Sequence, residues 1–312
     1  MINYSIIVPH KDSVKYLLRL LDSIPNNDDI QVIIIDDNSD VAVVKQLQDI
    51  ELNINIEIVF CDVSKGAGGA RNIGIQKAKG KWVIFADSDD YFTIHLENLL
   101  IENVDSGADI IYFNTDSRDE NGKQTYRHLR YSKLVCDFLN DNKKENALRY
   151  YFTSPWAKII KRDLILKNNI KFDEIVASND VIFSLKTAYF AKKIKAYKDI
   201  LYVISLTKGS VTQIISKAHF DSKFNTALNA NKFLCSIGMR RYQQSILYFL
   251  GRSYKFGFQY IIYVLLMLIK NRSNILIGMS KLMNLNKALR ERENTDYITK
   301  RLKDPEFIKF AE

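Results

Sequence analysis

The chain has 312 residues, of which 47% are hydrophobic and 26% are charged, and it carries a formal net charge of +9. This composition is typical of a folded protein and excludes disorder for most of the chain. The length suits one large α/β domain with an appendage, or two modest domains. Cys61, Cys136 and Cys235 lack CxxC spacing, which indicates neither a disulfide framework nor a zinc site and fits a reducing cytosol.

The first 90 residues alternate strand and helix patterns. Apolar runs predict strands at residues 4–9, 30–37, 55–62 and 81–87, and the first run is too short for a secretory signal. Helix patterns lie between the strands, at residues 13–24, 41–50 and 68–80, the last closed by Gly80. The apolar face predicted for the first helix consists of Val14, Leu17, Leu18, Leu21 and Ile24.

Strands that are apolar on both faces and separated by helices predict a parallel sheet covered on both sides. Such sheets bind their ligands at the carboxyl ends of the strands. This places residues 9–12, 36–40, 64–71 and 87–90 along one rim.

Two of these strand ends carry clustered acids, "IIIDDNSD" at residues 33–40 and "FADSDD" at residues 85–90. Unit charges about 4 Å apart repel by roughly 4 kcal/mol at an effective dielectric constant near 20. We therefore expect a cation at the rim. The alternative is that Asp37, Ser39, Asp87 and Asp90 are turn and N-cap residues, positions that Asp and Ser favour.

Carboxylates without histidine partners suit Mg²⁺ or Mn²⁺, which also bind the oxygens of a substrate diphosphate. The four histidines, at positions 10, 95, 128 and 219, have no spacing that suits zinc. A diphosphate would also explain "KGAGGAR" at residues 65–71, where Gly66, Gly68 and Gly69 allow close backbone approach and Arg71 offers a guanidinium. The same glycines are similar to a dinucleotide-binding fingerprint, but Arg71 stands where its third glycine belongs.

Together these segments resemble the family 2 glycosyltransferases, which have the GT-A fold. The matching segments are residues 5–12, 32–40, 66–80, 82–92, 155–165 and 170–186. The resemblance covers roughly residues 3–215 and implies an α/β GT-A domain over 1–215 with a mostly parallel central sheet. Within it, residues 1–115 would form the nucleotide-sugar-binding half and residues 116–215 the acceptor half. Residues 216–312 would form a basic, helical C-terminal region.

The resemblance also implies roles for the residues that bind the sugar donor. Asp37 would bind the nucleobase in a pocket lined by Pro9 and His10. Arg71 would contact base or phosphate.

The "DSD" sequence at residues 87–89 is similar to the family's DxD motif. In that position Asp87 would face the ribose and metal-bound water, Ser88 would lie in the donor site, and Asp89 would ligate Mn²⁺ or Mg²⁺, with Asp87 as its partner. Asp90 is the usual neighbouring acid. A divalent cation there would stabilise the charge that develops on the leaving diphosphate.

Attack by an acceptor hydroxyl needs a base, and in the family this is the aspartate of an acidic pair, often Glu-Asp. Here "FDEIVASND" supplies Asn179 and Asp180, so Asp180 is the candidate catalytic base, while Asn179 departs from the family pattern. The alternative from local sequence is that Asp180 lies in the first turn of a helix capped by Ser178 or Asn179 and stabilises its dipole.

Trp156 and Lys158 of "PWAK", together with Asn179, lie where the family shapes its donor and acceptor pocket. The alternative is that Trp156 is a core residue and Lys158 a surface residue. Residues 207–213 resemble the segment that closes over the donor in relatives.

The basic excess lies in the last third of the chain. Residues 1–215 have 28 Lys+Arg against 29 Asp+Glu, and residues 216–312 have 17 against 7, a net charge of +10. Apolar positions at helical spacing, among them Phe233, Leu234, Ile237, Leu247 and Leu250, predict helices here. The apolar run at residues 256–269 is shorter than the roughly 20 residues that span a bilayer. It would form a buried helix or a helix at an anionic membrane surface. Nucleic-acid binding is the third alternative, but the basic residues here lack a recognised module.

The predicted function is a metal-dependent, inverting transfer of a hexosyl group from a nucleotide-diphosphate sugar, UDP-linked, to a saccharide or lipid-linked saccharide. It would serve bacterial surface polysaccharides such as capsule or lipopolysaccharide. The enzyme would be cytoplasmic, with peripheral contact at the inner face of the membrane and without a nucleic-acid partner. The alternative is a catalytically inactive nucleotide-sugar-binding or scaffolding protein of the same fold, which Asn179 suggests.

Overall fold

The structure of the protein is a computed structural model that describes residues 2–50, 55–206, 216–271, 273, 274 and 277. The chain divides into two compact units. The first comprises Met1–Ile175 and Phe183–Lys208, and the second comprises Val176–Ile182 and Gly209–Glu312. The predicted boundary after residue 215 lies at the edge of residues 207–215, which are outside the described part.

The first unit contains the β-sheet. Its strands are β1 (Tyr4–His10), β2 (Ile30–Asp36), β3 (Ile56–Phe60), β4 (Trp82–Phe85), β5 (Tyr91–Phe92), β6 (Ile110–Asp119), β7 (Lys158–Lys161) and β8 (Ile194–Leu206). They are arranged in the order β3-β2-β1-β4-β7-β6-β8-β5. In the described residues the pairs β2/β3, β1/β2, β1/β4 and β6/β8 are parallel, and the pairs with β7 and β5 are antiparallel. The prediction of an α/β fold with a mostly parallel sheet is therefore confirmed.

Helices flank and follow the strands. They are α1 (Val14–Asp22), α2 (Val41–Gln48), α3 (Gly66–Lys77), α4 (Leu96–Asn103), α5 (Leu129–Asn140), α6 (Glu145–Tyr151), α7 (Arg162–Lys167), α8 (Val181–Phe190), α9 (Lys217–Ser236), α10 (Leu247–Arg252) and α11 (Phe258–Lys270). The four predicted strands and three predicted helices of the first 90 residues are all present within two or three residues of the predicted bounds.

The predicted face of α1 needs one correction. Leu18 is 41% exposed, and Leu20 is fully buried beside Leu17 and Leu21. A helix turns by about 100° per residue, so Leu17, Leu20 and Leu21 form one stripe while Leu18 points away from its centre.

Two glycines let backbone and helix approach β1. The helix α3 ends at Lys77, three residues before Gly80, so the prediction that Gly80 closes it was wrong. A Cβ at Gly80 would lie 2.7 Å from the Ser5 amide nitrogen, and one at Gly74 would lie 2.3 Å from Ile7 Cγ2. Both positions therefore require glycine for packing: Gly74 lets α3 lie against β1, and Gly80 lets the segment before β4 pass close to the backbone of β1.

The second unit is helical, as predicted for the C-terminal region. Phe220, Phe224, Phe249, Val264 and Leu268 lie in its core, which α9, α10 and α11 share. The segment Val176–Ile182 joins this unit through Ser222, whose hydroxyl group accepts from the Ala177 amide at 3.2 Å and donates to the Ala177 carbonyl at 2.8 Å.

The apolar run in the last third forms α11, which is buried on one face only. The alternative of a buried helix therefore holds for one face only, because several large apolar residues of α11 are exposed. Across the described residues, no helix combines the length and apolarity needed to cross a bilayer.

Candidate active site

The parallel strands β1, β2 and β4 end side by side. In the sheet register His10 pairs with Asp36, and Ile7 pairs with Phe85. The residues that follow these strands therefore meet at one edge of the sheet, as the sequence pattern predicts.

Asp36 organises the ends of β1 and β2. Its carboxylate accepts from the Ser39 hydroxyl at 2.6 Å and from the Ser39 amide at 3.0 Å, and it lies 2.9 Å from His10 Nδ1. His10 Nε2 accepts from the Ser13 amide at 3.2 Å. The imidazole hydrogen therefore lies on Nδ1 and points at Asp36. His10, Asp36 and Ser39 are all buried. Their hydrogen bonds therefore stabilise the ends of β1 and β2 from the protein interior.

Asp37 holds the segment that leads into α3. Its carboxylate accepts from the Ser64 hydroxyl at 2.6 Å, the Lys65 amide at 2.6 Å and the Gly66 amide at 3.0 Å. Two of these donors are backbone amides at the start of α3, where helical amides lack partners within the helix. Gly66 has a φ of 68°, a left-handed conformation that favours glycine.

Arg71 links α3 to the acid turn that follows β4. Its guanidinium Nη2 lies 2.5 Å from Asp87 Oδ1, and the side chain is buried against the Phe172 ring at 5.3 Å. Asp87 retains partial exposure, 34% of its side chain. The pair therefore puts one cationic group directly beside the first acid of the "DSD" sequence.

The acid turn, residues 87–90, rests on β8. The Asp90 amide donates to the Asp87 carbonyl at 3.1 Å, which closes the turn. The Tyr202 hydroxyl accepts from the Asp87 amide at 2.7 Å and donates to the Asp90 carboxylate, which also accepts from the Ser205 amide at 2.7 Å. Both Tyr202 and Asp90 are buried, so buried contacts with β8 fix the turn in place.

Arg19 of α1 holds the other side of the acid turn. Its Nη2 donates to the Asp89 carbonyl at 2.5 Å and to the Ser205 hydroxyl at 2.7 Å. The guanidinium lies 4.8 Å from the centre of the Tyr91 ring. Arg19 thus brings positive charge to the acid turn. Among the described contacts it bonds a backbone carbonyl of the turn and none of the turn's carboxylates.

The acid turn carries more negative charge than its surroundings balance. Burial and the charge of Asp87 raise the pKa of Asp89 above its usual value, and the opposing effects of Arg127 and Arg19 are smaller. Burial, with the charges of Asp89 and Asp87, raises the pKa of Asp90 well above its usual range. A bound cation would relieve this repulsion, as the sequence analysis expects.

A family model described as glycosyl transferase family 2 matches residues 5–168, more than half of the chain. The chain belongs to glycosyl transferase family 2. The match contains the strand ends of β1, β2 and β4 and the acid turn, so the rim described above lies inside the family domain.

Similar family members come from bacteria. The chain is 24% identical over 228 residues to a Bacillus subtilis protein named as the glycosyltransferase EpsH, an alignment that covers 70% of this chain and 65% of EpsH. It is 27% identical over 214 residues to poly(ribitol-phosphate) β-N-acetylglucosaminyltransferase TarS of Staphylococcus aureus, covering 65% of this chain and 35% of TarS. The chain thus spans under two thirds of EpsH and about a third of TarS.

Solved structures of two glycosyltransferases share the fold. The crystal structure of Staphylococcus aureus TarS 1–349 in complex with UDP-GlcNAc has a TM-score of 0.64 at 21% identity, covering 86% of this chain and 81% of that chain. The mannosyltransferase PcManGT from Pyrobaculum calidifontis, in complex with GDP-Man and Mn²⁺, has a TM-score of 0.53 at 15% identity, covering 95% and 82%. These likenesses confirm the GT-A fold.

The donor residues expected from the family sequence pattern lie together at the rim. Pro9 and Ser88 are half-buried there, while His10 is 1% exposed and bonded to Asp36. The structure thus places Asp37, Arg71, Asp87 and Asp89 on neighbouring strand ends or α3, and their donor contacts stay predictions.

Trp156 and Lys158 lie in the interior of the first unit. The Trp156 indole stacks on Tyr202 at 5.7 Å, one layer beneath the acid turn. Lys158 is 1% exposed and its ammonium group donates to the Phe152 carbonyl at 2.7 Å. The alternative that Lys158 is a surface residue was therefore wrong, because its cation is satisfied by a backbone carbonyl and lies near the Tyr112 and Phe152 rings.

Asn179 and Asp180 belong to the second unit and are half-buried. They form a turn immediately before α8, which begins at Val181, so Asp180 precedes the helix rather than lying within its first turn. Its catalytic role stays a prediction. Residues 207–213, expected to close over the donor, lie outside the described residues.

The acid turn suits a divalent ion held jointly with a substrate. No group of three or more His, Cys, Asp and Glu side chains converges to hold a metal within the described ranges. Mg²⁺ and Mn²⁺ bound with a diphosphate need only one or two protein carboxylates, since substrate oxygens and water complete the shell. The oxygen donors of Asp87 and Asp89, and the raised pKa of Asp89, fit such an ion.

Arg19, Tyr202 and Ser205 are the site residues that sequence reasoning missed. Arg19 lies among leucines of an ordinary amphipathic helix, and Tyr202 and Ser205 lie on a strand 115 residues from the acids that they contact. No local pattern distinguishes them from other helix and strand residues. A cluster of acids predicts that other groups support it, but the local sequence does not show where in the chain those groups lie.

Proposed function

We propose that the protein is an inverting glycosyltransferase that moves a hexosyl group from a UDP-sugar to a saccharide or lipid-linked saccharide of a bacterial surface polysaccharide. The observation that carries this proposal is the rim itself. Asp37 follows β2, the acid turn follows β4, and Arg71 of α3 bonds Asp87, all inside the matched family domain. The TarS complex with UDP-GlcNAc supports a uridine diphosphate donor.

The donor would lie across the rim with its diphosphate at the acid turn. Arg71 of α3 lies at that place, and its guanidinium suits an anionic ligand. In the described geometry Arg71 already bonds Asp87 at 2.5 Å. In the proposed complex this pair would orient Asp87 toward the ribose and keep a cationic group next to the phosphates.

Asp89 and Asp87 would hold Mn²⁺ or Mg²⁺. When bound, the ion stabilises the negative charge that develops on the leaving diphosphate. The chain's own part is to fix the carboxylates. The Tyr202 hydroxyl accepts from the Asp87 amide, Arg19 donates to the Asp89 carbonyl, and the Ser205 amide donates to the Asp90 carboxylate, so the acids are oriented before the donor arrives.

Asp180 would accept the proton of the acceptor hydroxyl group. The acceptor oxygen then forms a bond to the anomeric carbon on the face opposite the diphosphate, whose bond to that carbon breaks, so configuration inverts. The proton ends on the Asp180 carboxylate and the electron pair of the broken bond on the diphosphate oxygen. Asn179 lacks a carboxylate, and this role needs only one.

Calorimetric titration with UDP and several UDP-sugars, with and without Mn²⁺, tests the donor site. We expect metal-dependent binding that Asp89→Ala abolishes and that the exposed control Asp28→Ala leaves unchanged. Absence of nucleotide binding by the wild-type protein under both conditions would refute the proposal. The alternative, that the acids are turn and N-cap residues, would then stand.

Asp180→Asn separates an enzyme from an inactive binding protein. We expect it to retain donor binding and to lose most of the release of UDP, with or without an acceptor, because the amide cannot accept the proton. Donor binding with no transfer by the wild-type protein to any tested saccharide acceptor, and no effect of Asp180→Asn on UDP release, would favour the scaffolding alternative.

A further inference from the structure

The helix α11 has an apolar face on each side. Tyr260, Val264 and Leu268 lie in the core of the second unit. The opposite side carries five exposed apolar side chains, which we call the outer stripe. They are Phe258 (74% exposed), Ile262 (43%), Leu265 (38%), Leu266 (61%) and Ile269 (71%). At about 100° of rotation per residue, they form one continuous arc about 100° wide.

Single exposed apolar residues are ordinary on protein surfaces, but a contiguous patch of this kind marks an interaction site. The outer stripe is contiguous over the whole of α11. Exposed Lys255 precedes the helix, and exposed Lys270 is its last residue. Both ends of the stripe therefore carry a basic side chain.

The sequence around the stripe is free of acids. Residues 222–290 contain eleven Lys and Arg residues and neither Asp nor Glu. A stretch this basic selects a partner with negative charge at its surface, and the stripe selects one with an apolar interior just beneath. A bilayer that contains anionic phospholipids has both properties.

We propose that α11 lies in the plane of an anionic phospholipid bilayer, with the outer stripe in the headgroup and upper acyl region. Lys255 and Lys270 would face lipid phosphates. The helix has 13 residues, about 20 Å in length, which is too short for the roughly 30 Å hydrocarbon core. Half-exposed Tyr263 lies at the border of the stripe, where an aromatic ring with a polar end suits the headgroup level.

A second copy of the chain fits this surface less well. Pairing two outer stripes would bring together two surfaces that are both basic, without acids in residues 222–290 to offset the repulsion. Charge therefore favours lipid over self-association. This inference does not depend on the proposed transfer reaction.

Cosedimentation of the full chain with vesicles tests the proposal. We expect binding to vesicles that contain phosphatidylglycerol, little binding to phosphatidylcholine alone, and weakening by added NaCl. Substituting Phe258, Leu266 and Ile269 together by Gln should reduce vesicle binding at least about tenfold, because the stripe supplies the apolar contact. The matched control is Val41, Ile94 and Ile101 together changed to Gln, three exposed apolar residues of the first unit, which should bind as the wild type does.

Lys255→Glu with Lys270→Glu provides a second variant that leaves the stripe intact, and it should lose most of the salt-sensitive binding. Circular dichroism melting checks that each variant is folded. Three results would overturn the proposal: no binding of the wild type to anionic vesicles, equal binding by the folded stripe variant, or a concentration-dependent dimer that the stripe variant abolishes. The last result would assign the stripe to a second copy.

Discussion

The Tyr202 hydroxyl group accepts a hydrogen bond from the Asp87 amide at 2.7 Å, across 115 residues of sequence. The same hydroxyl donates to the Asp90 carboxylate. One buried side chain of β8 therefore bonds both the first and the last acid of the acid turn. The Trp156 ring stacks on the Tyr202 ring, with centroids 5.7 Å apart, so packing holds the tyrosine in place.

Tyr202→Phe should lower the free energy of unfolding by about 1–3 kcal/mol, because it leaves a buried amide and a buried carboxylate short of a partner. Donor binding should weaken as well, since the backbone of the acid turn loses one of its supports. Urea unfolding and calorimetric titration with UDP and Mn²⁺ measure the two effects.

Tyr112→Phe is the matched control. Tyr112 is fully buried, and its hydroxyl has no hydrogen-bond partner among the described residues. Removing it should leave the stability unchanged or higher. Equal losses of stability for both variants would show that the Tyr202 hydrogen bonds contribute nothing specific.

Asp37→Ala should loosen the start of α3, because the Ser64 hydroxyl and the Lys65 and Gly66 amides lose their shared acceptor. Hydrogen bonds to a charged group contribute about 1.5–3 kcal/mol each, so we expect a loss of stability of that order and weaker UDP binding. Denaturant unfolding and calorimetry measure these changes. The control is Asp40→Ala, an exposed acid of the same rim without a side-chain cap bond; if it matches Asp37→Ala, net charge rather than the hydrogen bonds explains the loss.

Gly74→Ala should destabilise the fold by about 1–3 kcal/mol, because its methyl group would lie 2.3 Å from Ile7 Cγ2 in a packed layer. Thermal melting measures the change. Gly251→Ala is the opposite case, since a Cβ there has no neighbour within 4 Å among the described atoms of α10 and its surroundings. It should stabilise the protein by about 0.5–1 kcal/mol through helix propensity. A Gly74→Ala protein that melts like the wild type would mean that α3 can move away from β1.

The contribution of His128 to the stability of the first unit should fall as the pH drops below 6.5. Burial lowers the pKa of His128 below its ordinary value of 6.5, against a smaller opposing effect of Asp116. The unfolded chain then binds the proton more readily than the folded chain, so the stability present above 6.5 is lost as the pH falls through the folded pKa.

His128→Gln should reduce this loss of stability at acid pH, which urea unfolding at several pH values measures. Its Nδ1 lies 2.7 Å from the Ser117 hydroxyl, so the variant also loses some stability at neutral pH. His95→Gln, at an exposed position, should keep the wild-type pH dependence. If the loss of stability at acid pH is unchanged in His128→Gln, other groups titrate there.

Local sequence patterns predict the parallel strands, the helices between them and the acids at their carboxyl ends. Those features depend on apolar patterns over a few residues, and a parallel sheet then places every strand end at one edge. Family resemblance added the expected roles of Asp37, Arg71, Asp87 and Asp89, which lie together at that edge.

The groups that support those acids are visible only in the folded protein. Arg19, Tyr202 and Ser205 reach the acid turn across 70 and 115 residues of sequence, and contacts at such separations leave no local periodicity to read. The same holds for the burial of Lys158 and for the exposed outer stripe of α11, both of which sit in apolar runs. An apolar pattern states how much surface a segment can bury, and only packing against the other elements settles which side is buried.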